Sequence, residues 1–190
     1  MLKRNIFLIG SMLVMVFSGC NGRDKQLNQI EAQSTALDSI MRAHPVLSIE
    51  EKANAEELVE SYMAFIRDYP NDSLCPAFLL KAAMIYNHVP AYKKSIEVTD
   101  RLIAEYPDAP EVEQAVAMGA RTAEDFLKDY DKARAYLTII QDKFAEGPYG
   151  VNVDLQIEYV GDPEGLFRAI RERAGIATDT VETASVDAVK

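Results

Sequence analysis

The chain has 190 residues, of which 48% are hydrophobic and 26% charged, and its formal net charge is −10. This length and hydrophobic share suffice for one domain with its own core. The 30 acidic and 20 basic residues argue against a nucleic-acid binder, because phosphate backbones are bound by clustered Lys and Arg. The same acidic excess argues against attachment to anionic lipid through a basic patch.

The first 19 residues have the pattern of a secretory signal. Lys3 and Arg4 precede the apolar run "NIFLIGSMLVMVF" at residues 5–17, and no acidic residue occurs before Cys20. The run is shorter than the roughly 20 apolar residues of a membrane-spanning helix. It ends in "FSGC", which resembles a bacterial lipobox, a site where a peptidase cuts before the cysteine and the thiol is acylated.

The resemblance implies a lipoprotein signal peptide at residues 1–19 and lipid attachment at Cys20. Phe17 departs from the usual pattern, which has Leu at that place. Cleavage would remove two basic residues and change the net charge from −10 to −12. Several acyl chains give durable anchoring where a single chain does not. The alternative is a plain signal or membrane anchor in which Cys20 is incidental.

A short polar tether is predicted at residues 20–26, "CNGRDKQ", and a helix at 27–43. Apolar residues recur along this helix at heptad-like spacing, but two heptads are too few for a coiled coil. We therefore expect this helix to pack on the helical segments that come after it in the chain. The "SIEE" at residues 48–51 is a capping box, which predicts that the next helix runs over 49–68.

Two similar words, "IRDYPND" at residues 66–72 and "IAEYPDA" at 103–109, lie 37 residues apart. The residues 5, 8 and 12 positions before each Pro share one helix face. A third copy, "IIQDKFA" at residues 139–145, keeps the spacing without the Pro. Because Pro disfavours helical geometry in the preceding residue, each Tyr-Pro predicts a helix end.

The first two copies are each followed by a second helix that begins with Pro, over "PAFLLKAAMIY" and "PEVEQAVAMGARTAEDFL". Each carries a pair of small residues, Ala82 with Ala83 and Gly119 with Ala120, again 37 residues apart. Gly inside a helix costs about 1 kcal/mol relative to Ala. Close helix packing at Gly119 is the expected compensation.

This order of large, small, aromatic and Pro residues resembles the tetratricopeptide repeat (TPR). Ser95 and Thr99 depart from the usual residues, and the third repeat has one extra residue between its helices. The alternative is an ordinary helical bundle with two coincidental Tyr-Pro stops. The signature positions are occupied by Leu79, Ala82, Ala83, Tyr86, Ser95, Thr99, Leu102 and Pro107.

The resemblance implies an all-α, right-handed α-α superhelix of about three TPR-like hairpins, within a helical domain at residues 27–174. A disordered tail is expected at 175–190. The predicted helices are 27–43, 49–68, 76–88, 91–105, 110–127, 131–144 and 163–174. The predicted core includes Leu58, Tyr62, Phe65, Leu79, Ala83, Tyr86, Leu102, Ala120, Leu137 and Ile140.

Residues 151–160 give conflicting signals. Apolar residues alternate strictly from Val151 to Tyr159, which favours a strand. The repeat register favours a helix, and we adopt the helix. Asp162 and Pro163 then predict the start of the last helix, and Gly175 predicts its end.

No catalytic, cofactor or metal site is predicted. His44 and His88 lie at predicted helix ends without a second ligand at metal-binding spacing, so we expect surface histidines. No motif of a nucleophile with its base, a phosphate loop or a zinc protease is present, so no enzyme is expected. Cys75 is expected to be an inert, partly buried thiol, since no basic neighbour activates it. Of the nine tyrosines, most are expected between repeats, with some available to line a groove.

Together, the lipobox, the tether and the Tyr-Pro repeats resemble periplasmic TPR lipoproteins of double-membrane bacteria. A more distant likeness in plan is the repeat lipoprotein of the outer-membrane β-barrel assembly machinery, which has more repeats. The resemblance implies a lipid-anchored scaffold on the periplasmic face of the outer membrane, serving outer-membrane assembly or maintenance. Its partner would be another envelope protein or peptide in the concave groove. Cys20 is followed by Asn21 and not by the Asp that retains lipoproteins at the inner membrane.

An alternative from another class is a lipoprotein that captures a small ligand or a glycan. An aromatic-lined concave pocket would favour capture. A smooth, partly charged concave face would favour the scaffold.

Overall fold

The computed structural model describes residues 14–43 and 46–176, with side chains from residue 22 onward. Within these ranges the protein is all-helical, as predicted, and has no β-strand. The helices are α1 (Val14–Ala43), α2 (Ile49–Asp68), α3 (Cys75–His88), α4 (Tyr92–Glu105), α5 (Glu111–Arg121), α6 (Tyr130–Lys143), α7 (Val153–Glu158) and α8 (Pro163–Arg173). A π-helical segment, Thr122–Leu127, continues α5.

Each helix packs against the next one in the chain, and α3 also packs against α5. Helices α1 and α2 are antiparallel, because Arg23 contacts Asp72 while Gln33 contacts Glu57. The short connections make the following neighbours antiparallel too. Helix ends therefore gather at two edges of the domain.

One edge, named here the Tyr-Pro edge, comprises residues 69–74, 106–110 and 144–150 together with the part of α1 at Gly22 and Arg23, which contacts Tyr69 and Asp72. The Tyr106 hydroxyl donates to the Pro70 carbonyl at 2.8 Å and joins the first two turns. The Tyr149 N–H approaches the carboxylate of Glu113, in the first turn of α5, at 3.5 Å. Successive turns thus lie side by side.

The opposite edge comprises residues 88–92, 127–130 and 159–162. The rings of Tyr92 and Phe126 stack here with centroids 4.3 Å apart. The Gly161 N–H donates to Glu124 Oε1 at 2.8 Å. These contacts join three consecutive helical hairpins at this edge.

Helix α1 begins earlier than predicted. It is continuous through residues 20–26, where the sequence indicated a tether. The physical reason is contact with α2 and the turn after it: Arg23 Nε donates to Asp72 at 2.6 Å and Gln26 to Asp68 at 2.8 Å. Of the predicted signal at 1–19, residues 1–13 lie outside the described part.

The residues that the sequence marked as helix starts and ends make the expected local contacts. Ser48 Oγ accepts from Glu51 N–H at 3.2 Å while Glu51 accepts from Ser48 N–H at 2.7 Å, which confirms the capping box. Tyr69 and Tyr106 leave helical geometry, with ψ of 59° and 57°. Each precedes a Pro, so both helices end where the steric argument predicts. Asp162 accepts from Gly165 N–H at 2.9 Å and caps α8.

The predicted helix 110–127 is α5 plus the π-helical segment. In it the Lys128 N–H donates to the Ala123 carbonyl, five residues back. A π turn contains one residue more than an α turn. It therefore accommodates the extra residue of the third repeat, and α6 resumes the register with 14 residues, like α4.

Residues 153–158 are helical, so the helix interpretation of 151–160 is confirmed. The predicted core residues are all buried except Tyr86, which is only partly covered. Its ring lies beneath Lys94 Nζ, 5.3 Å from the ring centroid, at the surface between α3 and α4. Of the predicted tail at 175–190, Gly175 and Ile176 are described, and residues 177–190 lie outside the described part.

Candidate functional site

A pocket of about 690 Å³, partly open to solvent, lies between α5 with its π segment and the chain from Pro148 to Leu166. Helix α5 contributes five residues to the lining of this pocket, and the short α7 contributes Gln156. The lining includes Met84, Gln114, Ala117, Met118, Ala120, Arg121, Glu124, Asp125, Leu137, Ile140, Pro148, Tyr149, Val151, Gln156, Pro163 and Leu166.

The floor of the pocket is apolar and rigidly placed. Ala120, Leu137 and Ile140 are buried there, the first on α5 and the other two on α6. Helices α5 and α6 approach closely because the neighbouring Gly119 carries no side chain. A Cβ built on it would lie 2.8 Å from Tyr136 Cε2. The predicted reason for Gly119 is therefore confirmed.

One wall is polar and belongs to the π segment. Glu124 accepts from Gly161 N–H, and Asp125 lies 3.8 Å from Arg121. Arg121 and Asp125 are both well exposed, so water screens this ion pair and it contributes little to the stability of the fold. The π turn rotates Glu124 and Asp125 relative to an uninterrupted helix, which places both beside the pocket.

The rim is apolar and solvent-exposed. Met84, Tyr149 and Val151 are 45%, 41% and 69% exposed, and all three line the pocket. They come from α3 and the α6–α7 connection, so they frame it from two sides. Single exposed apolar side chains are ordinary, but three around one concavity indicate a contact surface.

The tyrosines divide between core and groove. Tyr136 is buried, and its hydroxyl donates to Asp100 Oδ1 at 2.8 Å. Burial, reinforced by that carboxylate, raises the pKa of Tyr136 far above its ordinary value. Four tyrosines near predicted turns or on helix faces are candidates to line a groove: Tyr92, Tyr130, Tyr136 and Tyr149. Of these, Tyr149 lines the pocket while Tyr92 stacks on Phe126. The sequence did not indicate this pocket, because its two walls come from segments without a shared pattern.

Cys20 lies in α1 by its backbone, and its side chain is outside the described part. Cys75 is completely buried, and its thiol donates to the Tyr69 carbonyl at 3.1 Å. Burial raises the pKa of Cys75, which disfavours the reactive thiolate.

His44 is outside the described residues. His88 is partly buried with a covered Nε2 that has no hydrogen-bond partner, so it is less exposed than expected. Across residues 14–43 and 46–176 no group of three potential ligands is placed to hold a metal. Nor is any described helix long and apolar enough to cross a membrane.

No protein family, no curated protein and no solved structure matches this chain.

Proposed function

We propose that the protein is a lipid-anchored TPR-like scaffold that holds another envelope protein by a segment inserted in the pocket beside α5. The observation that carries this proposal is the apolar rim of Met84, Tyr149 and Val151 around an apolar floor. An amphipathic helix or an extended peptide of the partner would place one or two apolar side chains on that floor.

The helix order supports a right-handed superhelix of TPR-like hairpins. Tetratricopeptide arrays stack the first helix of one hairpin on the first helix of the next, and α3 packs on α5 in this way. The joined turns on the Tyr-Pro edge fit the same arrangement. The pocket lies between α5 and the chain from Pro148 to Leu166 and leaves an apolar surface for a partner to cover.

The charges at the pocket favour a partner segment that is apolar with some basic residues. Glu124 and Asp125 outnumber Arg121 among the ionisable lining residues. The whole chain is also acidic, so a basic segment would be steered toward it. Glu124 accepts from the Gly161 N–H, and Asp125 pairs with Arg121. Because both contacts are solvated, a Lys or Arg of the partner can replace them at a low cost in free energy.

Capture of a small ligand is the second candidate, because a volume of about 690 Å³ lies in the range of ligand pockets. Two observations favour the scaffold over it. Among the described residues, Tyr149 is the one aromatic residue that lines the pocket. In addition, no lining residue has a buried side-chain nitrogen or oxygen that lacks a hydrogen bond, within the part of the chain that the structure describes. A site built to orient a polar ligand keeps such groups aimed inward.

Membrane attachment belongs to the same proposal, with acylated Cys20 as the anchor and the periplasmic face of the outer membrane as the location. Confinement of both partners to one membrane raises their effective concentration. It therefore compensates for the modest affinity of a single short groove. Maintenance or assembly of the outer membrane is the process that this location suggests.

The anchor is tested by Cys20→Ala in the full chain. We expect the wild-type protein in the membrane fraction, with an acylated N-terminal cysteine by mass spectrometry. We expect the Cys20→Ala variant in the soluble fraction. Because the acyl chains supply the membrane affinity, retention of Cys20→Ala in the membrane fraction would refute lipid anchoring at this residue.

The pocket is tested by a photo-crosslinking residue at Val151 in living cells. The same residue at Ile49, which is exposed but outside the pocket, is the positional control. We expect one envelope protein to be crosslinked from position 151 and not from 49. Ala117→Arg fills the pocket and should abolish the product. Ala104→Arg, an equal change on exposed α4, should preserve it.

The outcomes separate the candidates. No specific product from position 151 would refute the scaffold. If a sugar or metabolite then raises the melting temperature of the purified protein, and Ala117→Arg removes that increase, small-ligand capture is the function. Equal crosslinking from positions 49 and 151 would show that the pocket does not select the partner.

A further inference from the structure

The residues directly after Cys20 are part of the folded domain. The backbone is helical without interruption from Val14 through Cys20 to Ala43. Arg23 Nε donates to Asp72 at 2.6 Å, and its guanidinium lies 5.9 Å from the Phe65 ring centroid. The chain is thus tied to the α2–α3 turn three residues after the acylation site.

The tie is well protected. The Asp72 side chain is only 13% exposed, and the hydrogen bond from Arg23 lowers its pKa. Gly22 lies against the Tyr69 hydroxyl, which would be 3.1 Å from a Cβ at this position. Only Asn21 separates an acylated Cys20 from Gly22 and its contacts. Such a short connection has little freedom to reorient.

We propose that the acylated protein stands on the lipid surface in one fixed orientation, with its Tyr-Pro edge toward the membrane. This inference rests on the proposed acylation of Cys20. The occupant of the edge is the lipid headgroup layer, reached because Gly22 and Arg23 lie on that edge beside Tyr69 and Asp72.

The orientation follows from the covalent connection and not from charge. Asp108 and Glu146 are exposed on the Tyr-Pro edge, and carboxylates do not draw a surface onto anionic lipid. Helices α3, α4 and α6 each have 14 residues between the two edges. At 1.5 Å per residue, the opposite edge lies about 20 Å farther from the lipid.

The orientation also narrows the class of partner. Pro148 and Tyr149 belong to the Tyr-Pro edge and also line the pocket. One end of the pocket therefore lies next to the headgroups. A segment that emerges directly from a membrane-embedded protein can enter it, whereas a site on a long periplasmic stalk would lie too far from the lipid.

The test uses the full acylated protein in a Cys75→Ala background, reconstituted in phosphatidylcholine vesicles that contain headgroup spin-labelled lipid. A fluorophore is placed by Asn71→Cys on the Tyr-Pro edge or by Lys93→Cys near the opposite edge, both exposed positions. With a separation of about 20 Å, we expect quenching to be about twofold or more stronger at position 71.

The control variant has about eight Gly and Ser residues inserted between Asn21 and Gly22, a flexible span of about 16 Å. This variant should bind vesicles as well as the protein without the insertion. Its fluorescence should be quenched equally at positions 71 and 93. Equal quenching at both positions without the insertion would overturn the fixed orientation. If the insertion variant still shows stronger quenching at position 71 than at position 93, the direct connection of Cys20 to α1 is not what sets the orientation.

Flotation of the vesicles is measured first, so that the two proposals fail separately. Protein that does not float with the vesicles contradicts acyl anchoring. Protein that floats but shows no difference between the edges contradicts the orientation alone.

Discussion

At the residue scale, one of the two departures from the repeat pattern, Ser95, has hydrogen-bond partners on α3. The other, Thr99, has a buried hydroxyl without a hydrogen-bond partner among the described residues. Ser95 stands where Ala is usual, and its hydroxyl donates to the Ala83 carbonyl at 3.0 Å and accepts from Asn87 at 3.0 Å. The Thr122 hydroxyl lies 2.9 Å from the amide oxygen of Asn87. These buried polar groups therefore satisfy one another across α3, α4 and the π segment.

Gly119→Ala should destabilise the protein although Ala is the better helix former. The new methyl would meet Tyr136 at 2.8 Å and Thr99 at 3.2 Å. The Tyr136 ring is held by its bond to Asp100, so we expect a loss of about 1–3 kcal/mol from overpacking. Urea unfolding measures it.

A double-mutant cycle that combines Gly119→Ala with Tyr136→Leu tests the cause of this loss. The ring edge is absent in that background, so the additional cost of Gly119→Ala should be smaller than in the unmodified protein. An equal cost in both backgrounds, or a Gly119→Ala protein as stable as the original, would contradict the close approach of α5 and α6.

At the element scale, one ion pair joins the short α7 to α8. Arg173 donates to the two carboxylate oxygens of Asp154 at 2.9 and 2.6 Å, and also to Asn152 at 3.1 Å. Bidentate geometry is the strongest form of such a contact. The hydrogen bonds from Arg173 lower the pKa of Asp154 from 3.8 to about 2.

The titration of Asp154 by NMR should show this effect. Because its pKa is lowered in the folded state, the pair stabilises the fold above pH 3.8 and loses that contribution as the pH falls toward about 2. Arg173→Ala should return the pKa to near 3.8, while Arg168→Ala on the exposed face of α8 should leave it low. A midpoint near 3.8 in the unmodified protein would show that the pair does not form in solution.

At the scale of the whole molecule, the described residues share one hydrophobic core that extends from Ile30 in α1 to Val160 after α7. Helices share this core from one hairpin to the next, so the hairpins are not independent folding units. A disruptive substitution in the middle of this core is therefore expected to lower the stability of all described hairpins together.

Ala83→Glu tests that expectation, with Met84→Glu as the adjacent control. Ala83 is fully buried whereas Met84 is 45% exposed, so only the first substitution places an unpaired charge in the core. We expect a cost of several kcal/mol and a melting temperature lower by roughly 10 °C or more, against a small change for Met84→Glu. Equal melting temperatures for the two variants would contradict the burial of Ala83 in a shared core.

Much of the fold was predictable from sequence because the relevant forces act over a few residues. Apolar spacing along α2, α4 and α6, the Ser48–Glu51 capping box and the restriction that Pro imposes on Tyr69 and Tyr106 are local. Even the π segment has a sequence counterpart, the one extra residue between Ala120 and Ala133 relative to Ala83 and Ser95. Local chemistry thus determined the helices, their order and most of the core.

Only the tertiary structure decided the features that depend on distant partners. Residues 20–26 look like a polar tether, but Asp68 and Asp72 stabilise them as helix. Tyr86 matches a core position, yet its place at the helix surface leaves it half-covered. The pocket lies between α5 and the chain from Pro148 to Leu166, and no spacing along the chain records a gap between helices. Sequence determined these helices because their signals are short-range, whereas the candidate site depends on how the helices meet.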